Sequence, residues 1–281
     1  MLRGSNPQDR AIAGSALRGL GWVPETVEDQ ALFEVAVGNA RGAVFRGEAA
    51  VDPLLSELRH DTSFARRSAA EALAGVQDPR RIQPLLSAAK DTDPTVRVTA
   101  IHALAAEEGA AVVSTLLKAL GDPEACVRLA AAQVLAKHNS TELVQHFFGL
   151  LRDSHFEVRL AAIQYLSRFS HPQISQAFVH LLTDTDSDVR LAAAKALGVC
   201  ADATAIEGLV LALVDQERVV RQMAEAALGQ IDPNWAQSEH AQRAGTKLEA
   251  SINTAPAWVR SSISQLLTKL RSSPTQPQVS Q

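Results

Sequence analysis

The sequence predicts an all-α chain, an α-solenoid in which helix pairs stack as a right-handed superhelix, and three observations lead there. A Val-Arg dipeptide, Ala-Arg in its first copy, ends at Arg66, Arg97, Arg128, Arg159, Arg190, Arg221 and Arg260, and the first six arginines recur every 31 residues. Leu stands seven positions after the arginine in every copy, from Leu73 to Leu267, and Leu or Ile stands eight before it except at Ala89. No copy alternates polar and apolar residues with period two, so strands are not expected. A single short helix pair cannot bury its own apolar face, so successive pairs must share one continuous core.

The elements follow in chain order. Residues 1–42 read as an N-terminal helical cap or degenerate repeat, because Arg10, Ala13 and Leu17 keep the columns of a second helix with no full first helix before them. Residues 43–271 read as seven repeats of 31 residues, the last lengthened by eight around Asp232 to Trp235. Within the fifth repeat, Ile174–Leu182 is the first helix, 183–187 the turn and Asp188–Val199 the alanine-rich second helix. Residues 272–281 are mostly Ser, Pro and Gln with no apolar period and read as a disordered tail.

Composition narrows the function. Twenty-seven basic against 31 acidic residues leave a net charge of −4, which argues against coating nucleic acid or an anionic membrane. Cys126 and Cys200 cannot frame a disulfide scaffold, and the N-terminus has no apolar signal segment, so a monomeric cytoplasmic protein is expected. No nucleotide loop, nucleophile constellation or metal-ligating motif is present, and no cofactor or metal is expected.

The pattern L-x-D-x(5)-R-x-A-A-x-x-A-L resembles the HEAT-like repeats first associated with phycobilisome lyases, over roughly residues 43–271. Leu20-Gly-Trp-Val-Pro24, followed by Asp29 to Phe33, is similar to the N-terminal unit of bacterial HEAT-repeat proteins of unassigned role, although Asn39 to Gly42 stand where those carry Trp-Asp. The resemblance implies a structural ladder along the inter-repeat turns. It joins Asp91, Asp122, Asp153, Asp184 and Asp215 with Arg97, Arg128, Arg159, Arg190 and Arg221, each guanidinium meeting a carboxylate of its own or the neighbouring repeat. His60 and Thr254 replace the aspartate in the end repeats.

Along the second helix, positions −1, +3 and +7 from the arginine must face the core, and +1 and +5 lie opposite. The resemblance places that opposite side on the concave surface. Its +1 column is apolar, Val98, Leu129, Leu160 and Leu191, and its +5 column is His102, Gln133, Gln164 and Lys195. An aliphatic strip beside hydrogen-bonding groups suits a protein or peptide partner. The competing reading is that these leucines pack on the next repeat.

The expected function is therefore a non-catalytic protein-interaction scaffold, with no nucleic acid and no membrane. The alternative is a phycobilin lyase or chromophore-chaperone subunit. A tetrapyrrole's propionates would need accessible cations, chiefly Lys137, Arg168 and Lys195. The aromatic cluster Phe147, Phe148, Phe156, Tyr165, Phe169 and Phe178 reads mostly as core, and Trp22, Trp235 and Trp258 as covers for the ends of the core.

Overall fold

The computed structural model describes residues 2, 7–138, 140–254 and 256–272, and every regular element among them is helical. From residue 273 on, the expected tail lies outside the described residues. The chain divides into two compact halves, Met1–Thr141 and Glu142–Gln281.

The N-terminal half opens with α1 (Pro7–Gly19), α2 (Val27–Ala36) and α3 (Ala40–Ala43), followed by a 3₁₀ segment, Val44–Ala50. Three helix pairs follow: α4 (Val51–Glu57) with α5 (Ser63–Ala74), α6 (Ile82–Ala88) with α7 (Pro94–Ala103), and α8 (Ala110–Ala119) with α9 (Ala125–Leu135). In the C-terminal half, α10 (Val144–Leu150) pairs with α11 (Phe156–Leu166) and α12 (Pro172–Leu181) with α13 (Ser187–Cys200). The half closes with α14 (Ile206–Ala212) paired with α15 (Arg218–Ile231), and α16 (Glu239–Ser251) with α17 (Ala257–Ser272).

Local chemistry sets the boundaries. Asp93 caps α7 by accepting the Thr95 N–H, with Pro94 in the first turn where its missing donor does no harm. Asp186 caps α13 through the N–H groups of Asp188 and Val189, and Ser238 caps α16 through that of Ala241. α13 ends where Ala201 turns left-handed at φ 51°.

The core follows the second-helix columns. Val96, Val127, Val158, Val189 and Val220 at −1 are fully buried, as are Ala69, Ala100, Ala131, Ala162, Ala193 and Ala224 at +3 and the leucines from Leu73 to Leu228 at +7. Each such leucine contributes roughly 1.5–3 kcal/mol relative to an exposed one. The alanines let backbones approach, so second helices pack along their length within each half: α5 on α7 and α7 on α9, α11 on α13 and α13 on α15. Gly198 shows how close this is, since a Cβ there would lie 3.1 Å from Cα of Ala227 in α15. First helices touch each other far less in the N-terminal half and from α10 to α14, whereas α14 packs closely on α16.

Aromatic filling matches the column logic in part. Phe147 and Phe178 are fully buried in the first-helix leucine column, and Phe147 stacks on the buried Tyr165 ring at 3.9 Å. Phe156 departs from it: it opens α11 on the solvent side and is 37 % exposed. At the N-terminal end Trp22 meets Phe33 edge-on at 5.6 Å over a small cluster with Leu2, Ala13 and Ala36. Trp235 is buried beneath the Lys269 ammonium, 5.0 Å from its ring centre. The expectation for the Trp258 side chain lies outside what the structure describes.

Candidate functional site

The recurring spacing of aspartate and arginine becomes a definite geometry. Arg66 donates from Nε and Nη2 to Asp91 at 2.7 and 2.8 Å, and Arg97 does the same to Asp122 at 2.9 and 2.8 Å. In the C-terminal half, Arg190 grips Asp215 at 2.7 and 3.1 Å, and Arg159 reaches Asp184 at 2.7 Å through Nη2. Each carboxylate therefore belongs to the repeat that follows, 25 residues on. The Nη1 of each arginine stays at home: Arg97, Arg128, Arg159, Arg190 and Arg221 bond the carbonyls of Asp91, Asp122, Asp153, Asp184 and Asp215 at 2.7–2.9 Å.

The same aspartates shape their own turns. Asp91, Asp122, Asp153, Asp184 and Asp215 each accept the backbone N–H two residues on at 2.8–2.9 Å. In the first repeat His60 takes over this duty, its Nδ1 accepting the Thr62 N–H at 3.0 Å. Burial pushes the Asp91 carboxyl up, but the Arg66 hydrogen bonds and the Asp93 N–H hold it below its ordinary value. The hydrogen bond to Asp122 raises the Arg97 guanidinium further. In these pairs the guanidinium and carboxylate charges are matched to one another.

The predicted strip residues divide by column. His102, Gln133, Gln164 and Lys195 at +5 are exposed, whereas Val98, Leu129, Leu160 and Leu191 at +1 are half-buried. The N-terminal half brings together Val98 and Leu129 with His102 and Gln133 on α7 and α9. The C-terminal half brings together Leu160 and Leu191 with Gln164 and Lys195 on α11 and α13. Desolvation, helped by the nearby Lys137 charge, pushes the His102 imidazole below its ordinary value.

Cavities open on the other side, between successive first helices. A groove of about 450 Å³ lies between α4 and α6, and one of about 410 Å³ between α10 and α12. A third, of about 660 Å³, runs between α12 and α14 to the start of α17. Sequence reasoning missed these grooves. The available signal was the column just before the ladder aspartate, which holds Arg59 and Arg152. Among the described residues no group of three or more His, Cys, Asp or Glu is arranged to hold a metal ion, and no helix is long and apolar enough to cross a membrane.

Comparison with solved structures places the chain beside YibA from Escherichia coli, with 19% identity, 86% of this chain and 88% of that one covered, and a TM-score of 0.57. An engineered protein is similar at 22% identity, with 94% and 79% covered and a TM-score of 0.47. The CpcE–CpcF complex of phycocyanin lyase from a Nostoc species is similar at 17%, with 93% and 94% covered and a TM-score of 0.39. The likeness to YibA shows the fold alone. No curated protein matches the chain. The family profile for HEAT repeats matches residues 51–136, 113–198 and 174–268, three overlapping stretches that take in all seven helix pairs. With its helix pairs, its arginine–aspartate joints and this match, the chain belongs to the HEAT-repeat family.

Proposed function

We propose that this chain is a non-catalytic scaffold that binds protein or peptide partners on the second-helix faces of its two halves. One observation carries the reading: a half-buried aliphatic column runs beside an exposed hydrogen-bonding column at constant register, on helices whose opposite side is fully buried. Val98 and Leu129 supply apolar area in the N-terminal half, and His102 and Gln133 fix position. Leu160, Leu191, Gln164 and Lys195 do the same in the C-terminal half. Helices already ordered by their own core lose little entropy when a partner docks. The ladder supports the reading by leaving its arginines engaged, and the exposed Cys126 and half-buried Cys200, both free thiols, suit a monomer in a reducing cytoplasm.

The test compares wild type with the Leu129→Asp, Leu160→Asp variant in a pull-down from native extract, with mass spectrometry and absorbance spectra on both eluates. The expected result is a protein retained by wild type alone while helicity by circular dichroism is unchanged. Equal retention overturns the surface, lost helicity assigns these leucines to the core, and a bound pigment moves the reading to tetrapyrrole handling.

A further inference from the structure

The two smaller grooves are built alike, one in each half. The first has Leu55, Leu58, Pro84 and Ala88 as its apolar lining and Arg59 on its rim. The second has Phe148, Leu151, Ala177 and Leu181, with Arg152 on its rim. Arg59 and Arg152 occupy the same position, seven residues before the ladder arginines Arg66 and Arg159, and both are exposed. Among the described residues neither makes an ion pair, whereas ten other arginines do. The one acidic residue in either lining is Asp91, and its charge is already matched by the two-pronged bond from Arg66. On a chain of net charge −4, each groove thus keeps one arginine outside any ion pair beside apolar side chains, with Gln83 and Ser87 also lining the first and His180 the second.

We propose that these grooves are seats for partner segments that present an aliphatic side chain next to an acidic one. The volumes, about 450 and 410 Å³, leave room in each open groove for a side chain of a docking segment. An aliphatic side chain fills the space between consecutive first helices and removes the half-buried Leu55 and Leu58, or Phe148, from water. The carboxylate meets the planar guanidinium fork in the two-pronged geometry the ladder already uses one turn away. A basic segment would bring like charge to the rim, and a purely aliphatic one would leave the guanidinium pressed against an apolar surface without a partner. These seats lie on the first-helix side and stand independently of the second-helix faces.

The experiment selects from a phage-displayed library of random decapeptides on wild-type protein, then measures a synthetic winner against variants by fluorescence anisotropy. Expected winners carry Asp or Glu beside Leu, Ile, Val or Phe. Binding should weaken as salt rises and fall about tenfold in the Arg59→Gln, Arg152→Gln double variant, the loss of a charge-assisted bond. Each single variant should remove one of two sites, with the melting temperature unchanged because both side chains are exposed. Winners without an acidic residue, equal binding by the double variant, or no enrichment overturns the proposal. Binding lost in Leu129→Asp, Leu160→Asp but kept in the arginine variant overturns it too, while supporting the second-helix faces. So does concentration-dependent self-association in sedimentation that the arginine variant abolishes, which would seat a second copy there.

Discussion

Arg97 holds the Asp122 carboxylate in a two-pronged grip at 2.9 and 2.8 Å, and its third nitrogen binds the Asp91 carbonyl at 2.8 Å. One side chain thus ties the turn of its own repeat to the turn of the next. Removing it strands a carboxylate whose side chain is only 12% exposed.

Arg97→Ala should therefore cost about 2–3 kcal/mol, somewhat under the ~3–5 of a fully enclosed pair because both side chains keep some contact with water. Arg97→Lys keeps the charge but loses the fork, and should recover less than half of that. Urea denaturation of the single variants and of the double variant with Asp122→Asn gives the coupling directly; additive effects would show that the pair contributes no joint stability.

The stacked rings of Phe147 and Tyr165 are both fully buried in the C-terminal core. Phe147→Leu, which restores the residue its column carries elsewhere, should still cost about 1–2 kcal/mol, because the ring partner and some volume are lost. Phe147→Ala should cost about 3–5 kcal/mol. Chemical denaturation followed by circular dichroism reads both.

Gly198 sits where α13 and α15 come together, and an added Cβ would press on the Gln230 side chain and on Ala227 Cα and Cβ, both at 3.1 Å. Gly198→Ala should lower stability by about 1–3 kcal/mol despite the better helix propensity of alanine, the usual range for an overfilled core. A stabilised variant would mean the two helices separate freely.

Acid should unfold the chain in a defined window. Asp93 is held down to about 2 by hydrogen bonds from the Thr95 and Ser63 hydroxyls and the Thr95 N–H, and Asp91 is also held low. Their unfolded carboxyls titrate near ~3.9. Folded values below unfolded ones mean stability that is complete above about pH 4 and lost as pH falls toward 2. Glu57 works the other way: burial raises its carboxyl, against the lowering charges of His60 and Arg10, so acid relieves the strain of keeping it ionised. Melting temperatures should hold steady from neutral pH to about 4 and then drop, and Asp93→Asn should flatten the drop. An unchanged slope would remove Asp93 from the account.

Much of this fold was legible because periodicity reports burial. The −1, +3 and +7 columns announced the core, and Phe147 and Phe178 could be read as leucine substitutes from register alone. Register says less about flanks: the +1 leucines lie on the boundary between neighbour and solvent, and only the spacing of second helices decides their half-burial. The ladder's residue types were evident, but a 31-residue period cannot tell whether an arginine reaches its own aspartate or the next one. The distances decide for the next. His60 looked like a gap in a column and proves to be a substitute, since an imidazole nitrogen can accept the N–H that a carboxylate oxygen accepts elsewhere. The first-helix grooves were illegible because they come from what stays apart, and a sequence pattern records mainly what comes together.

Because Arg66, Arg97, Arg159 and Arg190 each address the aspartate twenty-five residues ahead, the array's length is not written into any of these joints. Excising residues 67–97 would bring Asp122 to the distance from Arg66 that Asp91 now holds, and the cut ends would splice into a chain one repeat shorter with the same chemistry at the seam. Such an architecture can lose or duplicate units by recombination without inventing a new contact, so its reach is free to change while its mortar stays the same.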